Sequence, residues 1–275
     1  MNKLTLFVIV LAVFGCATPS QNFQGKTIEL GFSSERIKTS LFQHQIYLSN
    51  NLTDSKTLHV YLDGDGTPWE RKRWIASDPT ARNPLILRLM IQDKMPSILL
   101  GRPCYYGLNE SAGCTNKLWT SHRYSTEVVA SMAEALNNWL AQHSFKQVVL
   151  IGYSGGGSLA VLMADKIKHI KLVVTVAANL DVKAWSEFHG YLTLKDSLNP
   201  IEQGELNHNI KQIHFAGKDD QVVPAFVIKS YAQSQKKAEY YELEGQNHTC
   251  CWEAQWQSIL KIINDLLAEG SLGQR

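Results

Sequence analysis

The chain has no stretch of the roughly 20 apolar residues that a helix needs to cross a bilayer; its longest such run, residues 4–14, falls well short. Neither sign of charge dominates, with 27 Lys and Arg against 25 Asp and Glu. No basic stripe, basic tail or run of cations interleaved with aromatics occurs, so no nucleic-acid partner is expected. Cysteine is scarce, at five residues, and neither C-x-x-C nor His-x-x-x-His spacing appears, so neither a metal nor a cofactor is expected. Internal repeats and low-complexity segments are also missing, which excludes solenoids and arrays. What remains is 275 residues, 44% of them hydrophobic, enough to build one compact domain around a large core.

What the chain does have is a serine set among glycines. Val148, Val149, Leu150 and Ile151 form an aliphatic run that reads as a strand buried on both faces. Residues 158–164 read as a helix packed directly behind it. Ser154 therefore falls on a strand-to-helix turn, within Gly152-Tyr153-Ser154-Gly155-Gly156-Gly157. So sharp a turn strains the backbone at its apex, and Gly152 and Gly156 stand where a side chain would strike the neighbouring strand or helix. The hydroxyl is expected to project from the sheet beside the unpaired N–H groups of the helix, where a developing oxyanion meets a donor and a positive dipole end.

Later segments supply the partners that a serine needs. A hydroxyl is a poor nucleophile until an imidazole takes its proton, and the imidazole needs a carboxylate to fix its tautomer. Residues 213–217 read as a buried strand followed by Asp219 and Asp220, and residues 240–243 lead into His248. The glycine-bracketed serine, followed in order by Asp and His after two late strands, resembles the alpha/beta-hydrolase superfamily. The resemblance runs from about Thr27 to the C-terminal helix. It implies an α/β fold with a mostly parallel central sheet, helices on both faces and a small lid or none. It also implies that Ser154 is the nucleophile and His248 the general base. Asp220, in the pattern Gly217-x-x-Asp220-x-x-Val223-Pro224, is the implied acid, with adjacent Asp219 as its rival. His44, His59, His143, His169, His208 and His214 read as solvated or as satisfied buried histidines.

The resemblance also calls for a second oxyanion donor, from the loop after the strand at residues 57–62. That loop is Asp63-Gly64-Asp65-Gly66-Thr67-Pro68-Trp69, with Asp63 where relatives carry histidine. The N–H of Asp65 or Gly66 is expected to join that of Gly155, and Trp69 is expected in the core, with a wall of the pocket as the alternative. The same loop resembles the first motif of the haloacid dehalogenase superfamily. In that alternative Asp63 is a phosphorylated nucleophile, Asp65 an acid/base, and Asp219 and Asp220 help hold magnesium. It leaves unexplained the glycines around Ser154, the Val-Pro after Asp220, and His248. Arg71, Lys72 and Arg73 read as a solvated patch.

Residues 1–15 resemble a bacterial lipoprotein signal peptide: Lys3 gives a positive start, residues 4–14 an apolar core, and Val13-Phe14-Gly15-Cys16 a lipobox in which Cys16 is lipidated. The alternative is ordinary cleavage near Ala17. Residues 16–24 are expected to be a polar tether and residues 25–270 the hydrolase domain. The expected location is the cell envelope, with a lipid anchor holding the protein to a membrane on its periplasmic or extracellular face. In such an oxidising space Cys104, Cys114, Cys250 and Cys251 are disulfide candidates. Cys104 with Cys114 is the preferred pair, closing a short loop worth about 2.5 to 3 kcal/mol; Cys250 and Cys251 are then a vicinal disulfide or two thiols.

Elsewhere residues 27–32 and 45–48 read as a leading hairpin. Further strands are expected at 96–100, 172–176, 212–215 and 239–243, and helical apolar stripes cover Val128 to Leu140 and Trp252 to Leu266. The insertion between residues 177 and 211 is too short for an independent lid domain. A small, open acyl pocket is therefore expected, with Trp185, Phe188 and Tyr191 as candidate walls. A serine hydrolase acting on a carboxylic ester or thioester is the leading expectation. The magnesium phosphatase and a non-catalytic envelope-binding protein on the same scaffold are the alternatives.

Overall fold

The computed structural model describes residues 17–52 and 55–272; the expected signal segment and Cys16 lie outside these residues. Helix α1 (Pro19–Glu29) leads into β1 (Ser33–Lys38), β2 (Gln43–Leu48) and β3 (Thr57–Leu62). A hairpin of β4 (Trp69–Glu70) and β5 (Trp74–Ile75) precedes α2 (Leu85–Met90) and β6 (Ser97–Leu100). Then come α3 (Thr126–Leu140), β7 (Gln147–Tyr153), α4 (Gly155–Ala164), β8 (Ile170–Val176) and α5 (Val182–His189). The chain continues through β9 (Lys211–Gly217), α6 (Ala225–Ser234), β10 (Ala238–Leu243) and α7 (Trp252–Leu272).

Eight strands form one sheet in the order β1-β2-β6-β3-β7-β8-β9-β10. From β6 to β10 every pairing is parallel, while β1 and β2 form an antiparallel edge. Parallel strands need crossovers, and these lay helices over both faces. Helices α3 and α4 pack on one another, as do α2 and α7, with Trp256 of α7 against Tyr61 of β3. Covered on both sides, β7 is buried from Val148 to Tyr153, which is why its sequence is an uninterrupted aliphatic run rather than an alternation. The amphipathic stripes of α3 and α7 face the core, with Met132, Leu136, Trp252 and Trp256 fully buried.

The first structured residues differ from expectation. Residues 19–24, expected as a tether, and Thr27, expected in a strand, belong to α1, and the leading hairpin is β1 with β2 instead. Thr18 caps α1 through a reciprocal capping box with Gln21, and Pro19 occupies the first turn, where its missing N–H costs nothing. Phe23 is buried against the rings of Tyr47 and Tyr106 at 5.5 and 4.7 Å. The N–H of Ser20 donates to Asp78 Oδ2 at 2.8 Å. Tertiary contacts thus recruit a polar segment that periodicity alone leaves as a linker.

Candidate active site

Ser154 sits between the end of β7 and the start of α4 with φ 51° and ψ −125°, a left-handed backbone that an L residue adopts only at a cost. The elbow closes because two of its glycines have no side chain to accommodate. A Cβ on Gly152 would collide with the backbone of Gly156 and Gly157, and one on Gly156 with the carbonyl oxygen of Leu62 in β3. Gly155 opens α4, so its amide has no acceptor within the helix.

Three expected residues come together here. His248 Nε2 lies 3.0 Å from Ser154 Oγ, and His248 Nδ1 lies 2.8 Å from Asp220 Oδ2. The second carboxylate oxygen of Asp220 accepts the N–H groups of Val222 and Val223, each at 2.8 Å. Both oxygens of this fully buried acid are therefore occupied, and the tight turn after β9 fixes its direction. Asp219, the rival acid, is exposed, and its N–H donates to Gln246 O. The His248 loop is held from several sides. The Tyr153 hydroxyl donates to His248 O at 2.9 Å, Trp252 Nε1 donates to Asn247 O, and Asn247 Oδ1 accepts the N–H groups of Thr249 and Cys250. Cys250 and Cys251 are bonded to one another at the entry to α7, and Cys104 is bonded to Cys114.

The loop after β3 runs beside the serine. Gly64 lies against Ser154 and Tyr153, and its N–H donates to Asp63 Oδ1 at 2.8 Å. A side chain on Gly66 would meet Pro79 and Tyr105, so this glycine packs on the 79–81 segment. Between them Asp65 is held at both ends. Arg102 Nη2 and Arg123 Nη1 reach its carboxylate at 2.7 and 2.8 Å, the Tyr124 hydroxyl donates to it at 2.7 Å, and the Tyr105 hydroxyl donates to its carbonyl at 3.0 Å. Against burial, which alone would raise it, the two guanidinium groups hold the Asp65 carboxyl down at about 2. Asp63 is the opposite case: burial dominates and pushes its carboxyl up to about 6.

Sequence reasoning did not find this clamp, because Arg102 and Arg123 are remote from Asp65 along the chain and ordinary in composition. The clamp bears on the role that the magnesium alternative gives Asp65: both of its oxygens are engaged by cationic and hydroxyl donors, and Asp220 is hydrogen-bonded to His248. Trp69, expected in the core, is 45% exposed on the β4–β5 hairpin. Trp185, Phe188 and Tyr191 form a partly exposed aromatic group on and after α5, with Phe226 packed on Phe188. Trp185 Nε1 donates to Val222 O at 2.7 Å, which joins α5 to the turn that carries Asp220. His44, His59 and His214 are buried and hydrogen-bonded to Ser131, Asp93 and Thr175.

A family model for the alpha/beta-hydrolase fold matches residues 105–197. No curated protein sequence matches the chain. Among solved structures, the esterase Pf2001 of Pyrococcus furiosus is similar at TM-score 0.62 and 13% identity, covering 94% of this chain and 97% of its own. Est1E of Butyrivibrio proteoclasticus with ferulic acid bound is similar at TM-score 0.63 and 10% identity, covering 85% and 99%. A putative lipase of Acinetobacter baumannii is similar at TM-score 0.58 and 16% identity, covering 96% and 100%. With the sheet order and the serine elbow in place, these likenesses establish that the chain has the alpha/beta-hydrolase fold.

Proposed function

We propose that this protein is a serine hydrolase that cleaves a carboxylic ester or thioester through an acyl-enzyme. The observation that carries the reading is the hydrogen-bonded line from Ser154 through His248 to buried Asp220. The fold is one in which esterases and lipases occur, as the solved relatives illustrate. In this reading Ser154 Oγ attacks the substrate carbonyl carbon while His248 Nε2 takes its proton. Asp220 stabilises the imidazolium and keeps the neutral ring in the tautomer that presents a lone pair to the serine. The tetrahedral oxyanion is held by the N–H groups of Gly155 and Asp65. Asp65 is favoured over Gly66 because Gly66 packs away on the 79–81 segment, while the two arginines and Tyr105 hold Asp65 rigid beside the elbow. Collapse expels the alcohol or thiol with the proton from His248. Water, deprotonated by the same imidazole, then releases the acid and restores Ser154.

The substrate is a small molecule whose acyl group enters a short, open site bordered by α5 rather than a deep cavity under a lid domain. The N-terminal sequence supports attachment at Cys16 to an envelope membrane, and the two disulfides fit an oxidising space. The test is labelling with a fluorophosphonate. Wild type should be labelled and should hydrolyse a short p-nitrophenyl ester, while Ser154→Ala should fold, resist the label and lose at least about three orders of magnitude in kcat. Labelling of Ser154→Ala at the wild-type level would refute the assignment.

A further inference from the structure

We propose that the β4–β5 hairpin docks the protein onto an anionic lipid surface. The hairpin forms its own two-stranded sheet, apart from the eight-stranded one. Trp69, Trp74 and Ile75 are 45%, 64% and 41% exposed. A two-stranded hairpin is marginal in water, and large indole surfaces left wet are unfavourable, so the arrangement suits a partner that covers them. Trp69 pairs with Ile75 across the strands, which places two of these apolar residues on one face, while Trp74 stands opposite Glu70 on the other.

The tip decides what that partner is. Arg73 N–H closes the turn on Glu70 O at 3.0 Å, and the two intervening residues, Arg71 and Lys72, have φ of 49° and 58°. Such a turn prefers Asn-Gly, because both positions are left-handed. Here both carry long cations, so local turn preference has been given up to present three consecutive positive charges. Glu70, the acid within the hairpin, is already paired with Arg82 at 2.6 Å. Among the described residues no ion pair engages Arg71, Lys72 or Arg73. Guanidinium and ammonium groups bind lipid phosphates, and indoles settle at the depth of the headgroups; this hairpin joins the two in seven residues, 69–75.

Its place in the fold agrees. The hairpin base closes through Ala76 N–H to Pro68 O, and the next turn supplies Asp78, which holds Ser20 in the first turn of α1. The first turn of α1, at the start of the described residues, is thereby tied to the segment that follows the hairpin. The loop that leads into the hairpin begins at Gly64, which lies against Ser154, so hairpin and candidate site share one stretch of chain.

The test compares partition of the full chain onto phosphatidylcholine vesicles with partition onto vesicles that also contain phosphatidylglycerol. Whatever the N-terminal segment contributes is common to wild type and variants. The ratio of anionic to neutral binding should fall on the order of a hundredfold in the triple variant Arg71→Ser, Lys72→Ser, Arg73→Ser, at about a fivefold factor per cation. Hydrolysis of a soluble ester should be unchanged in that variant. Lipids brominated in the acyl chain should quench fluorescence of the bound wild type more than that of a Trp69→Phe, Trp74→Phe variant. An unchanged ratio in the triple variant, or equal quenching of wild type and the double variant, would overturn the proposal.

Discussion

Replacing Asp63 and Asp65 by asparagine, one at a time, should move stability in opposite directions although the two residues lie in one short loop. Burial lifts the Asp63 carboxyl from 3.8 to about 6. Between those pH values the folded state holds a proton that the unfolded chain has released, so wild-type stability falls as pH rises through the interval. At about 1.4 kcal/mol per pH unit the full loss is about 3 kcal/mol, complete above pH 6. Asparagine keeps an oxygen for the Gly64 N–H and carries no charge. Asp63→Asn should therefore match wild type near pH 4 and exceed it by about 3 kcal/mol at pH 8, or about 6 to 12 °C in Tm.

Asp65 runs the other way. Its folded value of about 2 lies below 3.8, so its contribution is present above pH 3.8 and is lost as pH falls toward 2. The ionised form is worth about 2.5 kcal/mol by that measure. Asp65→Asn also leaves Arg102 and Arg123 without a counter-charge, each with a side chain under a tenth exposed. Breaking a buried pair costs about 3 to 5 kcal/mol, and because the Asp65 side chain is 21% exposed the lower part of that range applies. Thermal unfolding of both variants at pH 4, 6 and 8 is the assay. Shifts of the same sign at pH 8, or an Asp63→Asn gain that does not grow with pH, would refute the electrostatic account.

Three further outcomes follow from the site. Asp220→Asn should lower kcat by about three to four orders of magnitude, because the amide orients the wrong tautomer of His248; Asp219→Asn should stay near wild type, and similar kinetics for the two would remove the acid assignment. Tyr105→Phe, which deletes the hydroxyl on Asp65 O, should reduce kcat roughly five- to tenfold with little change in KM, as one neutral hydrogen bond of about 1 kcal/mol predicts. A change confined to KM would contradict Asp65 as an oxyanion donor. Cys104→Ser should cost about 2.5 to 3 kcal/mol through loss of loop closure while activity at 25 °C survives, and an unchanged Tm would show that the bridge contributes nothing.

The sequence and the structure agree where one local rule decides the outcome. The elbow was legible because the glycines around Ser154 have a steric reason that spacing alone reveals. The parallel strands β3, β6, β7, β8 and β9 were legible because burial on both faces leaves a largely apolar run. Helix α1 was not, since its apolar anchor is a single residue, Phe23, and its other hold is Asp78, distant along the chain; the Thr18-Pro19-Ser20-Gln21 capping pattern was the signal available. The clamp on Asp65 was beyond reach in the sequence, because nothing local marks Arg102 or Arg123 as buried. Trp69 was misplaced for the same reason: an indole reads as core until the structure puts its hairpin outside the sheet.

The carbonyl of Val222 accepts hydrogen bonds from Trp185 Nε1 and from His189 Nε2, while the N–H of the same residue grips Asp220. Helix α5 and the buried carboxylate are thus tied through a single peptide unit. Under the proposed reaction, any movement of α5 would be felt first at the direction of Asp220, so that changes on the outer side of this helix would register in turnover before they register in binding.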